Sequence, residues 1–240
     1  LATTGRDIKF DLGRTEGYRN FCNKVWNAAR YVLMNCEDKA ILDQHSISPK
    51  HLSIADQWIS SRFEQTALSI EESMKNYRFD LAAQALQEFI WNEYCDWYVE
   101  LSKPVLWDEE NNPLEAQATR WMLLNIMEKS LRLLHPFMPY ITEEIWQRIA
   151  PLLSIQGESI MLQSYPQPDE ANVDQNAEQS IEWIKGIIVA IRNIRGEMDI
   201  SPAKAIPVFL NKGTKNDQAK LEEYRPYLEK LAKLDSIQWL

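Results

Sequence analysis

Apolar positions recur at helical spacing along most of the chain. From Arg14 to Met34, Tyr18, Phe21, Cys22, Val25, Ala28, Ala29, Val32 and Leu33 gather on one side at about 100° per residue. That is the wide apolar stripe of a core-facing helix. The opposite side carries Asn20, Asn23, Lys24 and Asn27, with Arg19 and Arg30 at its border. Asparagine is a poor helix former, and Glu, Lys or Gln would build a solvated face more cheaply. The pattern therefore predicts a helix that supports a core with one side and makes specific hydrogen bonds with the other.

The periodicity continues. Ile54, Trp58, Ile59, Phe63, Ala67, Ile70 and Met74 mark a second helix, with Ser53 before it and Asp56 in its first turn. A third, over 81–103, is rich in aromatics (Phe89, Trp91, Tyr94, Trp97, Tyr98) and is expected to stop before Pro104. A loop over 105–113 leads to a fourth helix, 114–134, ending at His135-Pro136. A fifth covers 140–150, Pro139 being tolerated near its start and Glu143-Glu144 supplying early acidic charge. Residues 159–166 read as a short extended piece and 174–198 as a sixth long helix. Beyond Ser201-Pro202 the texture changes to strand (205–210), helix (216–234) and strand (236–240).

These elements predict a mainly α protein. A connector occupies 1–13, a helical bundle 14–169, a long helix completing the bundle 170–200, and a short β-α-β-like tail 201–240. The chain begins at Leu1 and ends on an apolar run, so both ends read as cut from something longer and the tail as truncated.

Composition narrows the function. Nine tryptophans supply ample core, and only seven glycines favour long helices over loops. No apolar run approaches the ~20 residues of a membrane span, and no signal peptide is visible. Cys22, Cys36 and Cys95 are widely spaced and odd in number, which suggests neither a zinc site nor a disulfide framework and fits a reducing cytoplasm. The net charge of −9 argues against nucleic-acid binding by bulk charge, so any RNA contact must be local.

No active site is legible. Gly-rich phosphate loops, H-E-x-x-H, G-x-S-x-G and metal-spaced Cys/His sets do not occur. His45 and His51 lie in or beside a polar loop, and His135 suits a helix C-terminal cap better than a catalytic base. Adjacent Glu143 and Glu144 would point about 100° apart on a helix, unlike a catalytic pair. Phe89, Trp91 and Trp97 are expected in the core rather than on a base-stacking platform, whereas Tyr94 and Tyr98 each need a hydroxyl partner if buried. The asparagine stripe is open between helix or domain hydrogen bonding and ligand contact. Arg192, Asn193 and Arg195 form a second polar cluster, for which ligand contact is favoured.

Gly-Arg-Asp-Ile (5–8), GYRNFCNKVWNAARYV (17–32), YRFDLAAQALQEFIWNEYCDWYVELSKP (77–104), HPFMPYITEEIWQ (135–147) and IRNIRGEM (191–198) together resemble the bacterial valyl-tRNA synthetase family. The match runs in order over essentially the whole chain. Isoleucyl and leucyl synthetases share the architecture more loosely. The resemblance implies a helical-bundle anticodon-binding domain, C-terminal to catalytic and editing domains. The class signatures His-x-Gly-His and Lys-Met-Ser-Lys-Ser are absent from these residues, so no catalytic residue, metal ligand or cofactor is expected here. ATP and Mg would serve the parent enzyme, a cytoplasmic monomer.

The implied partners are the anticodon arm of valine tRNA and the catalytic and editing domains of the same chain. The resemblance places the first helix close to the anticodon, making Arg14, Arg19, Asn20, Asn23, Lys24, Asn27 and Arg30 the primary RNA-binding candidates. Arg78-Phe79 is a secondary candidate for stacking with a base, and Arg192 and Arg195 join as further candidates. A structural module that orients neighbouring domains is the alternative.

Overall fold

The computed structural model describes residues 11–240, which fall into two compact units, one ending at Asp174 and one spanning Gln175–Leu240. Of the connector expected over 1–13, residues 1–10 lie outside the described residues. By Leu12 the first helix, α1 (Leu12–Cys36), has begun, with the Asp11 carboxylate capping the Gly13 amide at 2.8 Å.

The second helix, α2 (Ile54–Lys75), starts at the expected place because Ser53 and Asp56 form a capping box. Both are buried, and Asp56 also accepts hydrogen bonds from the hydroxyls of Tyr98 (2.6 Å) and Thr119 (2.6 Å). A helix cap thereby becomes a junction between three helices.

The aromatic stretch is one long helical run: α3 (Phe79–Glu88), a π-helical stretch (Phe89–Tyr98) and α4 (Val99–Trp107). The expected stop before Pro104 does not occur. Leu101, Pro104 and Val105 are buried, and the Ser102 hydroxyl donates to the Val99 carbonyl at 2.9 Å within the turn that lacks the proline N–H. Tertiary packing outweighs the local cost of the proline. Phe89, Tyr94 and Tyr98 are fully packed, while Trp91 and Trp97 are half-buried. The Tyr94 hydroxyl reaches the Leu123 carbonyl at 2.7 Å, so both tyrosines find the partner that burial demands.

Helices α5 (Pro113–Leu134) and α6 (Pro139–Ile149) complete the first unit, α5 packing against α1, α2, α4 and α6. Trp58, Phe63, Leu123, Leu124 and Trp146 are fully buried among them. Because α6 begins at Pro139, Glu143 and Glu144 lie beyond its first turn. The extended piece expected at 159–166 is instead a 3-10 turn, Ile160–Leu162. No strand of the first unit is available to pair with it among the described residues. The Ser159 hydroxyl is tied to Glu143 (2.7 Å), and Gln147 donates to the Glu158 carbonyl (2.8 Å).

In the second unit, α7 (Gln175–Glu197) packs on α8 (Lys215–Leu231). Strands β1 (Ile206–Leu210) and β2 (Leu234–Trp239) pair in parallel, with α8 as the crossover, as the β-α-β pattern predicts. The Trp239 indole lies so close to Gly213 that an added Cβ would collide with its ring. The loop before α8 therefore has no room for a side chain at that position.

Candidate nucleic-acid interface

The first described turns of α1 are exposed, and Phe21 is the first buried residue. From there Phe21, Val25, Ala28, Ala29, Val32 and Cys36 form its inner stripe. The other side is as polar as its sequence, with Arg19, Asn20, Asn23, Asn27 and Arg30 all exposed. Arg19 lies 4.0 Å from Glu16. Among the described residues the three asparagines and Arg30 have no hydrogen-bonding or ionic partner, so they do not serve as interhelical glue within the first unit. Trp26 stands on the same face at 42% exposure. Trp26 is not among the residues that the sequence pattern singles out, although a large aromatic among polar positions is a usable signal. Arg14 belongs to α1, but its side chain lies outside the described residues.

Lys24 is placed differently. Its ammonium is 2.6 Å from the Asp96 carboxylate and 3.8 Å from the centre of the Trp91 ring, which in turn stacks on Phe21. A lysine expected among RNA contacts is thus already engaged by the bundle.

At the head of α3, Arg78 pairs with Asp80 through two hydrogen bonds (2.9 and 2.8 Å), which hold the Asp80 carboxyl down at about 2. Phe79 is half exposed and meets Tyr77 edge to face, with centroids 6.4 Å apart. Tyr77 is 75% exposed and takes a left-handed backbone conformation (φ 56°), an uncommon state for a bulky residue. Phe79 is a candidate from sequence and Tyr77 is not, because nothing in the pattern forecasts the left-handed turn between α2 and α3. One helical turn on, Ala83 joins Tyr18, Phe21, Gln87, Leu134, Phe137 and Met138 around a mostly apolar cavity of about 260 Å³. The head of α3, the first half of α1 and the α5–α6 corner therefore meet at one end of the bundle. Tyr140, 91% exposed, projects from the first turn of α6.

The cluster on α7 divides. Arg192 and Asn193 are exposed. Arg195 is buried, and its guanidinium donates to the carbonyls of Ser201 (3.1 Å), Lys204 (2.9 Å), Ala232 (3.0 Å) and Lys233 (2.8 Å). Such a residue fastens the turns around β1 and β2 and has no cationic face left for RNA. A lone arginine in a helix pattern cannot reveal this, since the carbonyls come from distant loops.

His135, Glu143 and Glu144 are engaged structurally. The His135 ring sits at the C-terminal cap of α5, 2.8 Å from the Thr142 hydroxyl. Glu143 binds Gln147 and Ser159, and Glu144 faces Arg148 at 3.5 Å. Burial pushes the Asp56 carboxyl up, against the pull of its hydroxyl donors. Among the described residues no cluster of His, Cys, Asp and Glu has the makings of a metal site, and no helix is long and apolar enough to cross a membrane.

Comparison with known proteins agrees with this geometry. The family profile for the anticodon-binding domain of tRNA ligase matches residues 56–210. The valine–tRNA ligase of Coxiella burnetii is 49% identical over 239 residues, covering 100% of this chain and 26% of that protein. The valine–tRNA ligase of Acinetobacter baylyi is 48% identical over 240 residues, covering 100% of this chain and 24% of its own length. The chain thus spans about a quarter of the length of these relatives. A profile match over more than half of its residues, on a mainly helical bundle with an exposed amide, arginine and aromatic surface, places the chain in the family of anticodon-binding domains of tRNA ligases.

Proposed function

We propose that this domain binds the anticodon arm of valine tRNA on behalf of a cytoplasmic, monomeric valine–tRNA ligase. In this reading the reaction with ATP and Mg, and the editing of its product, belong to other domains of the same chain. An anticodon loop offers unstacked bases, which proteins read by stacking and by hydrogen bonds to base edges, while phosphates add salt-dependent affinity. Phe79 and Tyr77 offer open rings for stacking. Asn20, Asn23 and Asn27 offer amides that both donate and accept. Arg19 and Arg30, with Arg14 on the same helix, offer positive charge, as does Arg192 of α7; Arg78 offers a guanidinium already shared with Asp80.

The observation that carries the proposal is the exposed polar face of α1, where Asn20, Asn23, Asn27 and Arg30 have no partner among the described residues, on an otherwise acidic protein. Acidic and basic residues nearly balance over 175–240, so the negative excess resides in the first unit and RNA must approach through a restricted surface. Ultraviolet crosslinking of the intact parent enzyme to valine tRNA, followed by peptide mapping, tests the placement. Adducts are expected within 12–30 and 77–83; adducts confined to other segments contradict it.

The same unpartnered asparagines also favour a second reading, in which α1 docks a neighbouring domain. Replacing Asn23 and Arg30 by Ala in the parent separates the two. A raised KM for tRNA with unchanged melting supports RNA contact, and lowered melting with unchanged KM supports docking.

A further inference from the structure

In an α-helix, residues five apart point about 140° away from each other, so Trp91 and Asp96 would lie on different sides. Phe89–Tyr98 is π-helical, and its wider i→i+5 turn brings residue i+5 much nearer in direction to residue i. Trp91 and Asp96 therefore share one face, and both meet Lys24 of α1, the ring at 3.8 Å and the carboxylate at 2.6 Å. The Phe21 ring, 6.3 Å from that of Trp91 and 14° from parallel with it, closes the set.

This set occupies a particular point on α1. Residues 11–20 are exposed wherever their burial is described, Tyr18 reaching the cavity at the α5–α6 corner, and Phe21 is the first buried residue of the helix, with Lys24 one turn further on. Further along, α1 is fastened by the Arg120 side chain on the Asn35 carbonyl (3.0 Å) and by the Cys36 thiol near the Arg120 carbonyl (3.7 Å). Apolar contacts tolerate some rotation about a helix axis, whereas a charge held between a carboxylate and a ring face does not. Lys24 adds to the buried stripe of α1 a polar tie that bears on the direction of Arg19, Asn20, Asn23 and Asn27.

We infer that Lys24 is a positioning residue for RNA binding, its ammonium held by the π-helical pair Trp91 and Asp96 so that the outer face of α1 is presented in one orientation. The inference rests on the RNA reading of that face. Lys24 and Asp96 retain 22% and 49% side-chain exposure, and an ion pair of that kind adds little to global stability. Its loss should loosen and misdirect α1 without unfolding the bundle.

The test uses the intact parent enzyme with Lys24→Met, Asp96→Asn, the double variant and Lys24→Arg. Two readouts are taken: amide hydrogen exchange over 12–23, and binding of a valine-tRNA anticodon stem-loop across a salt series. Expected are faster exchange and roughly tenfold weaker binding in each single variant, no further loss in the double variant, and substantial recovery in Lys24→Arg. The slope of log K against log salt should stay unchanged, whereas removing a direct phosphate contact lowers it by about 1. Unchanged exchange in both single variants, or a slope reduced by about one in Lys24→Met alone, overturns the inference. If wild-type enzyme ignores the stem-loop while both variants still speed exchange, the fastening stands and the RNA reading fails.

Discussion

The Tyr98 hydroxyl donates to the Asp56 carboxylate at 2.6 Å, from the end of the π-helical stretch to the first turn of α2. Thr119 of α5 donates to the other carboxylate oxygen at 2.6 Å, as do the backbone amide (3.0 Å) and hydroxyl (2.7 Å) of Ser53. Replacing Asp56 by Ala strands these donors in a fully buried place. The expected cost is about 3 kcal/mol or more, read by denaturant unfolding. Asp56→Asn should cost less, because the hydroxyls can turn to accept.

The cysteines give a pH-dependent prediction. Burial pushes the thiols of Cys36 and Cys95 up to about 12. At pH 8 both are protonated and closed to alkylating reagents in the folded chain, so labelling should await denaturant. A raised folded value stabilises the fold fully below the ordinary thiol range near 8.5, and that contribution is lost as pH climbs toward 12. Melting temperature should accordingly drop over that window, and less so in Cys36→Ser or Cys95→Ser.

Arg195 supports the second unit by binding four carbonyls from two turns. Arg195→Ala leaves those acceptors unpaired and should destabilise residues 198–240 by about 2–4 kcal/mol. Hydrogen exchange in that segment measures it, while tRNA affinity extrapolated to full folding should not change. Arg192→Ala, by contrast, should lower the salt slope of RNA binding by about 1 if Arg192 meets a phosphate.

At the head of α3, Phe79→Ala should weaken stem-loop binding by about 1–3 kcal/mol if a base stacks there, with the salt slope unaltered. Phe79→Tyr should retain most of the affinity. Equal affinity of Phe79→Ala and wild type removes Phe79 from the interface.

Much of this architecture was written in the apolar spacing. The inner stripe of α1, the Ser53–Asp56 start of α2 and the β-α-β tail follow from local periodicity and capping chemistry. What escaped was set by distant partners. Pro104 lies inside a helix because its neighbours are buried, and Tyr94 and Tyr98 are core because Leu123 and Asp56 receive their hydroxyls. Lys24 and Arg195 read as free cations, since one-dimensional spacing shows neither the π-turn that brings Trp91 under Lys24 nor the carbonyls that gather around Arg195. The outer asparagines and Phe79 are exposed, which is what their polar and half-turn positions in the pattern suggest.

The most direct measurement titrates the intact parent enzyme, at fixed moderate salt, with a valine-tRNA anticodon stem-loop and with one whose anticodon is replaced. The account predicts binding of the first at least tenfold tighter than the second, with the difference shrinking in Phe79→Ala and Asn23→Ala. Equal affinity for the two stem-loops contradicts it.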